Sequence, residues 1–511
     1  MATSESIAAP RPVQAVGAGA VLRRFFSFPV LLGALLFAGV FAGTYADDIA
    51  GARLFIEGDT WWHVATGQRI LTTHTWPTSD PFSFTVSGQS WMAYEWLGEV
   101  AMALATRWGG LAGMAALLLG LGSAIMLLLY YYCYLRSGSW KAAFIGCALL
   151  LPLTSGFFTL RPQLMGYVLL VVTLICLERY RRGRQRNLWI LPLVFLVWVN
   201  THGSFVLGLF ILGVYWVSGL FRFEFGGLIA EPWSAHQRRH FAWISLVSVV
   251  ALLITPYGSR LAAYPLQVAF LQPISVANIY EWAPLPFDLL MGKLFLGLLI
   301  LFLLAVLALR PTFRLEEVGL LLPAIYASCM HRRFALLFIV VFTPFLATIL
   351  GRWVPPYRPQ KDRYVLNAVL IFLVVAGLLS FFPSSERLAR VMPRKFPVGA
   401  VEYLKQHPLE GRIYNEYFWG GYLIWARPGK NVFIDGRADI YEYAGVFSDY
   451  LAIARMAPNA LFLLRKYDID ACLVEPNTPL STLLRALPDW QITYEDKTSA
   501  LFVHKQRRSN P

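Results

Sequence analysis

An aspartate and a histidine stand four positions apart in EGDTWWHVATGQRIL, residues 57–71. If residues 60–71 are helical, Asp59 and His63 lie one turn apart on the same face of the helix. Asp59 could then be a general base beside an imidazole, or it could hold a divalent cation such as Mg²⁺ or Mn²⁺. The structural alternative is that Asp59 caps the helix N-terminus and that His63 is merely exposed.

Two basic sites could bind a phosphate group. Arg161 in FFTLRPQ separates two apolar runs, and His331, Arg332 and Arg333 form a cluster in MHRRF. The topology that the charge distribution predicts places both sites outside the cytoplasm, where positive charges are disfavoured. A charge kept against this bias indicates an anionic partner, and a lipid phosphate is the natural one. Arg161 could instead be an interfacial anchor, and the choice between Arg332 and Arg333 stays open.

Five further residues are candidates for substrate contact, and each has a structural alternative. Asp80 in TSDPFS could instead be a turn residue. His202 in WVNTHGSF could instead be a histidine at the membrane interface whose hydrogen bonds are satisfied within the protein. Glu95 could contact a metal or the acceptor, or it could be a surface charge. Trp419 and Tyr422 could hold an acceptor, or they could pack in a core.

The composition indicates which class of protein these residues serve. Of the 511 residues, 57% are hydrophobic and 14% are charged, and the formal net charge is +14. These values, with 17 tryptophans, are typical of a polytopic membrane protein, because Lys and Arg gather in cytoplasmic loops and Trp at bilayer interfaces. The basic balance therefore indicates no nucleic-acid partner. The five cysteines are scattered without a CxxC motif, so no disulfide framework or zinc site is expected.

Apolar runs of about 17 to 25 residues predict eleven transmembrane helices. They are expected at 25–46, 110–135, 141–158, 162–179, 188–200, 203–220, 240–256, 292–309, 315–330, 332–350 and 363–382. The apolar segment 91–108 carries charges at Glu95, Glu99 and Arg107, so we predict an interfacial helix within a long first external loop, 46–109. Residues 1–24 are expected to form a disordered cytoplasmic tail.

The basic loops orient this topology in the membrane. With a cytoplasmic N-terminus, the loops 179–187, 236–240, 310–314 and 351–363 all fall inside. The transmembrane domain then spans 25–383, and residues 384–511 lie outside. Their pattern predicts an α/β domain with strands in GRIYNEY, NVFIDGR, ACLVEP, QITYED and ALFVH. The centres of the predicted spans carry essentially no ionisable group, which argues against an ion-coupled transporter.

This plan resembles the GT-C superfamily of membrane glycosyltransferases. GDTWWHVATGQRIL is similar to the acidic motif that opens the first external loop of the oligosaccharyltransferase catalytic subunit, and HTWPTSDPFSFTVSGQSWMAYEWL looks like a second acidic stretch of that loop. NEYFWGGYLIW resembles the Trp-Trp-Asp-Tyr-Gly signature of that enzyme, but Gly420 or Gly421 stands where the signature has Asp. Because of this departure, the resemblance does not extend to recognition of an Asn-x-Ser/Thr acceptor. The D-x-W-W-H opening also resembles a widespread group of bacterial polytopic membrane proteins, which implies a location in the bacterial cytoplasmic (inner) membrane.

The resemblance implies transfer of a sugar from a polyprenyl-phosphate-linked donor to an envelope glycan, lipid or protein acceptor at the outer leaflet. It makes Asp59 and His63 the first catalytic candidates, and it implies a catalytic or metal-binding role for Glu281, which shares its loop position with such a residue. Aromatic side chains such as Trp62 would stack on sugar faces.

The alternative function is a non-catalytic transporter, flippase or scaffold for envelope polysaccharide assembly. An enzyme requires Asp59, Arg161, Glu281 and the 331–333 cluster to line one outward-facing cavity. In the alternative, the same residues would only recognise lipid or glycan, or they would be dispersed.

Overall fold

The computed structural model describes residues 18–45, 54–55, 57–271 and 273–505. The expectations for residues 1–17, for the start of the first external loop at 46–53 and for the last residues, 506–511, lie outside this description. Residues Ala18–Phe25, inside the segment expected to be disordered, form a short helix.

Helices dominate the first 390 residues, and a helix occupies each of the eleven predicted segments. Over this part of the chain the described helices are Ala18–Phe25, Phe28–Tyr45, Asp59–Thr73, Trp96–Ser137, Trp140–Ser155, Pro162–Arg181, Leu191–Thr201, Phe205–Ser218, Ala235–Ala251, Ser259–Leu271, Pro273–Asn278, Leu290–Leu309, Leu315–Met330, Ala335–Leu350, Tyr364–Phe381 and Ser385–Val391. Single 3₁₀ segments occur at Gln185–Ile190, Tyr280–Trp282, Arg332–Phe334, Pro359–Lys361 and Met392–Arg394.

Six helical segments among the described residues are long and apolar enough to cross a membrane: Phe28–Tyr45, Trp96–Ser137, Pro162–Arg181, Leu290–Leu309, Arg332–Leu350 and Tyr364–Phe381. The apolar helices Trp140–Thr154 and Phe205–Ser218 are shorter. The chain is therefore a multi-pass membrane protein. The count of eleven crossings stays a prediction, because several of the remaining helices are too short or too polar to meet the same requirement.

The interfacial helix predicted at 91–108 and the span predicted at 110–135 correspond to the two parts of helix Trp96–Ser137; the placement of the first part on the membrane surface stays a prediction. The two parts are separated by a kink at Gly110, whose φ of 56° and ψ of −140° are not helical. Only glycine adopts such a conformation without strain, so Gly110 marks the change of direction that the charged residues had indicated.

Helix Asp59–Thr73 packs against the first part of helix Trp96–Ser137. A Cβ atom on Gly67 would lie 2.1 Å from the carbonyl oxygen of Glu99. The two helix backbones are therefore so close that only glycine fits at this position. This contact fixes the face of helix Asp59–Thr73 that carries Asp59 and His63.

The C-terminal segment forms the predicted α/β domain. Its strands are β4 (Arg412–Asn415), β5 (Ile469–Val474), β6 (Trp490–Glu495) and β7 (Ala500–His504), in the sheet order β4-β5-β7-β6. β4 and β5 are parallel, whereas the other pairs are antiparallel. The helices are Val398–Gln406, Tyr417–Ala426, Ala438–Tyr443, Val446–Ala454, Ala460–Lys466 and Pro479–Ala486. A smaller sheet, β1 (Phe223–Phe225), β2 (Leu228–Ala230) and β3 (Phe313–Arg314), joins two loops of the helical domain.

The strand predicted in NVFIDGR is wrong. The segment joins no domain strand; Val432 instead forms an isolated bridge with Ser83 of the first external loop. Phe84 N–H donates to Val432 O at 3.1 Å, and Val432 N–H donates to Phe82 O at 3.0 Å. The apolar residues of this segment pack between the two domains and not within a sheet. A strand-like sequence pattern does not distinguish these two environments.

The two glycines that depart from the oligosaccharyltransferase signature serve close packing. A Cβ atom on Gly420 would lie 2.0 Å from Ile434 O, and one on Gly421 would lie 2.4 Å from Gly58 O. Helix Tyr417–Ala426 therefore lies directly against the start of helix Asp59–Thr73, and an aspartate at either position would collide with backbone.

A buried ionic cluster holds the C-terminal domain to the first external loop. Arg437 is 1% exposed. Its Nη1 lies 2.7 Å from Asp80 Oδ1, and its Nη2 lies 2.7 Å from Asp435 Oδ2. Tyr441 Oη donates to Asp435 Oδ2 at 2.6 Å. The guanidinium also faces the rings of Phe82 and Trp91. Charges this deeply buried are tolerated only when they are paired, so this cluster fixes how the domains meet.

We expect Arg437→Ala to lower the free energy of unfolding by about 3–5 kcal/mol, because it leaves two buried carboxylates without their cation. Denaturant titration of the purified protein in detergent, followed by tryptophan fluorescence, measures the change. Arg485→Ala is the matched control, since Arg485 pairs with Glu495 on the domain surface; it should change stability little. Equal effects of the two substitutions would contradict the role given to the cluster.

Candidate functional site

A cavity of about 370 Å³ lies between the helical domain and the C-terminal domain. Segments far apart in sequence supply its polar lining, namely Asp59, Trp62, His63, Tyr94, Glu95, Arg161, Gln163, His202, Tyr264, Glu281, Arg333 and Asp439. An apolar wall completes it, with Val206, Leu207, Leu266, Val276, Ile279 and Phe334 among its residues. A cavity of this size and mixed character is typical of a ligand site.

Arg161 is the centre of the charged cluster in this cavity. It immediately precedes helix Pro162–Arg181, in the extended conformation that a following proline favours, and it is thereby directed away from the helix. Its Nη2 lies 3.0 Å from Asp59 Oδ2, and its Nη1 lies 2.8 Å from Glu281 Oε2. Glu57 Oε2 is 3.6 Å from the same Nη1. One guanidinium therefore joins carboxylates from three segments.

Asp59 faces the cavity and does not cap its helix. The capping alternative is wrong: Gly58 is the N-cap, and Asp59 is the first residue of the helix. The Asp59 carboxylate faces Arg161, and its Oδ1 accepts a hydrogen bond from Trp62 Nε1 at 3.3 Å. Burial raises the pKa of Asp59 to about 7, with a further rise from the Glu57 and Glu281 charges and an opposing effect of Arg161. The group can therefore accept or release a proton near neutral pH.

Glu281 differs from Asp59 in its electrostatic environment. It lies in the 3₁₀ segment Tyr280–Trp282, between Arg161 and Arg333, whose Nη1 is 3.4 Å from Glu281 Oε1. Burial alone would raise the pKa of Glu281, but the two guanidinium groups outweigh it and lower the pKa to about 2. Glu281 therefore stays ionised wherever the protein is folded.

His63 is buried, so the alternative of a merely exposed histidine is wrong. Among the described residues its acidic neighbours are Glu99, 3.1 Å from Nδ1, and Glu95, 3.5 Å from Nε2, and not Asp59. Burial lowers the pKa of His63 and raises that of Glu95 to about 8. His63 is thus a neutral imidazole next to a carboxyl group that is largely protonated at neutral pH.

His202 extends this buried chain. Its Nδ1 accepts a hydrogen bond from Ser204 N–H at 2.9 Å, so the ring proton of the neutral form resides on Nε2. Nε2 lies 3.2 Å from Glu95 Oε1. Burial lowers the pKa of His202 to about 3, and the Arg333 and Arg161 charges add to this effect. Two neutral imidazoles and Glu95 thus form one connected set of close polar contacts at the cavity wall.

The C-terminal domain closes one side of the cavity. A Cβ atom on Gly436 would lie 1.6 Å from Asp59 Oδ1, so only glycine fits against the acid. Nearby, Tyr264 Oη donates to Asp439 Oδ2 at 2.5 Å, and the Tyr264 ring stacks on Tyr94 with a centroid distance of 4.3 Å. The cavity thereby offers flat aromatic faces beside carboxylates.

Several predicted site residues lie away from this cavity. Asp80 is buried in the Arg437 cluster, and it also accepts hydrogen bonds from Ser83 N–H and Oγ, as its turn alternative predicts. Trp419 and Tyr422 are buried in packing between the domains: Trp419 Nε1 donates to Lys395 O, and the Tyr422 ring packs on Trp61 and Phe396.

The 331–333 cluster is divided. Arg333 lines the cavity, whereas Arg332 stacks on the Tyr280 ring, with its Cζ 3.5 Å from the centroid. His331 Nδ1 donates to Trp282 O at 2.5 Å, which holds the Glu281 segment in place. The structure therefore brings Asp59, Trp62, His63, Glu95, Arg161, His202, Glu281 and Arg333 together.

Sequence reasoning missed Glu57, Gly436, Asp439, Tyr94 and Tyr264. Glu57 is two residues from Asp59 in the quoted motif, and Tyr94 adjoins Glu95, so proximity in sequence was a usable signal. Gly436 and Asp439 belong to FIDGRAD, where an acidic group beside Arg was visible but a turn explained it equally well. Tyr264 carries no signal in the sequence.

The carboxylates of the cavity do not suit a divalent cation. Oxygen ligands of one metal converge on a common point, but here Glu57, Asp59 and Glu281 converge on the Arg161 guanidinium. Among the described residues no group of three or more His, Cys, Asp or Glu side chains is arranged to hold a metal. A divalent cation in the cavity would also be repelled by two guanidinium groups. Each repulsion costs about 4 kcal/mol per unit charge of the cation, at a separation of 4 Å in a medium of effective dielectric near 20.

Comparison with known proteins supports the resemblance at the level of fold. No protein-family model matches the chain, and no curated protein matches its sequence. Among solved structures, the oligosaccharyltransferase AglB of Archaeoglobus fulgidus, in complex with an inhibitory peptide and a dolichol-phosphate, matches with a TM-score of 0.53 at 13% identity, over 94% of this chain and 74% of that chain. The chain shares its fold with this oligosaccharyltransferase, as the resemblance to the GT-C superfamily implies.

The same Archaeoglobus enzyme tethered to an acceptor peptide matches with a TM-score of 0.54 at 12% identity, over 95% of this chain and 75% of that chain. ArnT from Cupriavidus metallidurans, bound to undecaprenyl phosphate, has a TM-score of 0.47 at 14% identity, over 97% of this chain and 100% of that chain. The two Archaeoglobus matches confirm, at the level of the fold, the resemblance inferred from the short motifs.

We expect Arg161→Ala to create a cation site in this GT-C fold, because three carboxylates lose the guanidinium that pairs them. Binding of Mn²⁺, measured from the free-ion electron paramagnetic resonance signal, should be at least about tenfold tighter than in the unsubstituted protein. Arg332→Ala, which removes a cation outside the cavity, is the control and should leave Mn²⁺ binding unchanged. Equal Mn²⁺ affinity of the unsubstituted protein and Arg161→Ala would show that the guanidinium does not exclude the metal.

Proposed function

We propose that the protein is a glycosyltransferase that moves a sugar from a polyprenyl-phosphate-linked donor to an envelope glycan, lipid or protein acceptor on the outer face of the membrane. The observation that carries the proposal is the convergence of Asp59, Arg161, Glu281 and Arg333 on one cavity with an apolar wall. This is the arrangement that an enzyme requires, whereas dispersed residues would have favoured a transporter or scaffold. The GT-C fold and the dolichol-phosphate bound to the archaeal oligosaccharyltransferase agree with it.

The donor phosphate would bind to the two arginines. Arg333 stacks on the Trp282 ring, with its Cζ 4.1 Å from the centroid, which orients its planar guanidinium. Arg161 and Arg333 share Glu281, so both are held at the same end of the cavity. Two guanidinium groups can bind one phosphate through paired hydrogen bonds and stabilise the negative charge that it acquires as a leaving group. Glu281 would be a positioning residue that spaces them.

The lipid part of the donor would lie on the apolar wall. Val206, Leu207, Leu266 and Phe334 line the cavity, and Leu266 is 56% exposed. An isoprenoid chain is already out of water in the bilayer, so this wall would hold it by van der Waals packing and not by a hydrophobic driving force. The sugar then falls between this wall and the aromatic faces of the polar lining.

Asp59 would be the general base. A hydroxyl or amine of the acceptor transfers its proton to the ionised Asp59 carboxylate as it forms a bond to the sugar C1 atom. The bond from C1 to the phosphate oxygen breaks, and the phosphate departs with that electron pair toward Arg161 and Arg333. A base with a pKa near the working pH is the efficient choice for this proton transfer.

Incubation of the purified protein with a panel of polyprenyl-phosphate sugars and membrane extract as acceptor tests the transfer. We expect label to move from one donor, and Asp59→Asn to lower kcat by about 100-fold or more. Asp288→Asn makes the same chemical change at an exposed residue outside the cavity and should transfer normally. Undiminished transfer by Asp59→Asn would remove Asp59 from the mechanism, and the absence of transfer from every donor would favour the non-catalytic alternative.

The pH dependence of transfer gives a second prediction. Because burial raises the pKa of Asp59 to about 7, its basic form is lost as pH falls through 7, and kcat/KM should decline about tenfold per pH unit below that value. The Glu281 charge contributes to the raised pKa, so Glu281→Gln should move this decline to lower pH.

Glu402→Gln, an equal change on the surface of the C-terminal domain, should leave the pH profile in place. A decline that stays near pH 7 in Glu281→Gln would assign it to a group other than Asp59. Activity that is flat between pH 5 and pH 8 in the unsubstituted protein would contradict a base with a raised pKa.

A further inference from the structure

A second cavity, of about 610 Å³, lies at the start of helices Phe28–Tyr45 and Tyr364–Phe381. The loop 355–363 forms its rim, and Phe28, Leu31, Leu366 and Leu370 line its apolar part. Nothing in the proposed transfer uses this cavity.

This cavity and the candidate active site lie at opposite ends of the membrane helices. Phe28–Tyr45 has 18 residues and is therefore about 27 Å long. Its last residue, Tyr45, leads into the loop that carries Asp59, whereas Phe28 lines the second cavity. Tyr130 Oη donates to Pro29 O, and Arg136 Nη1 lies 3.1 Å from Glu178 Oε2. The second cavity thus lies on the same side of the helical domain as the C-terminal end of helix Pro162–Arg181, and Arg161 lies at the opposite end of that helix.

Four cations surround the cavity: Lys141, Arg358, Lys361 and Arg363. Within the described part of the chain none of them forms an ion pair with a carboxylate; the ion pairs found there involve other cations. Their combined charge near the level of lipid headgroups is unfavourable unless an anion binds, because like charges repel across a partly apolar cavity.

The acidic residue of the cavity does not neutralise these cations. Asp362 Oδ2 accepts hydrogen bonds from Phe28 N–H at 2.9 Å and from Tyr357 Oη at 2.5 Å. Asn367 Nδ2 donates to Asp362 Oδ1 at 2.7 Å and to Phe26 O at 2.9 Å. Asp362 and Asn367 therefore tie the loop 355–363 to the start of helix Phe28–Tyr45, so the cations are carried on an ordered rim.

An apolar surface continues from the cavity along helix Tyr364–Phe381. Leu366 and Leu370 line the cavity and are 48% and 38% exposed, and Val369 and Leu373 continue this surface with 50% and 58% exposure. A ligand with a phosphate at the rim and a hydrocarbon chain along this helix would satisfy both parts of the cavity.

We propose that this cavity binds the headgroup of an anionic phospholipid, with an acyl chain against Leu366, Leu370 and Leu373. The basic rim selects the phosphate together with a second anionic or hydroxyl-bearing group, and the apolar helix surface selects a lipid over a free anion. Charge complementarity and the placement at the membrane interface both favour a phospholipid as the occupant.

Native mass spectrometry of the full chain, released from nanodiscs of equal phosphatidylglycerol and phosphatidylcholine content, tests the proposal. We expect retained phosphatidylglycerol to exceed phosphatidylcholine by about tenfold, and Arg358→Gln/Lys361→Gln to abolish this preference. Arg184→Gln/Arg186→Gln is the matched control: it removes two exposed cations from a loop on the same face that does not line the cavity. The control should keep the preference.

Three results would overturn the proposal. Equal retention of the two lipids would mean that the rim does not select charge, and equal loss in the two double variants would mean that only net charge matters. Displacement of phosphatidylglycerol by millimolar inorganic phosphate would identify a free anion site. Thermal unfolding in detergent checks that both variants are folded. We expect both to be folded, because all four substituted residues are exposed.

Discussion

The position of Arg161 is the constraint on which the candidate site depends. A guanidinium in a partly buried cavity must be paired, and Arg161 is paired with carboxylates from helix Asp59–Thr73, from the segment before it and from the Tyr280–Trp282 segment. Because Pro162 favours the extended backbone of Arg161, the guanidinium has a defined place, and the acidic segments are arranged around it. The charge that would recognise a phosphate also assembles the site.

The C-terminal domain sets the geometry of the site as directly as the membrane helices do. Gly436 lies against the Asp59 carboxylate, Gly421 lies against Gly58, and Arg437 binds the first external loop through Asp80. Each of these contacts tolerates almost no added atom. The domain is therefore part of the cavity wall, and its displacement would expose Asp59 to water and return its pKa toward that of an ordinary aspartate.

The structure has the convergence of Asp59, Arg161 and Glu281 that the enzyme hypothesis required. Sequence patterns predicted the helices and the α/β domain, because hydropathy and periodicity depend only on the local sequence. They did not separate Arg332 from Arg333, since adjacent residues share every property except the direction of the side chain. They also misassigned NVFIDGR, because an apolar segment between domains has the same pattern as a strand.

Asp59 and Glu281 bind the same guanidinium, yet their pKa values differ by several units, about 7 against about 2. Burial raises the pKa of both groups, but two arginines outweigh it at Glu281, whereas Asp59 has one arginine and two neighbouring carboxylates that raise its pKa further. Pairs of carboxyl groups whose environments separate their pKa values in this way divide the work of proton transfer and charge stabilisation. Glu281 keeps its charge and holds the arginines at a fixed spacing, so that Asp59 alone is left to take a proton. A phosphate that draws Arg161 toward itself would weaken the pairing of Asp59 and make it a stronger base at the moment when the acceptor must lose its proton.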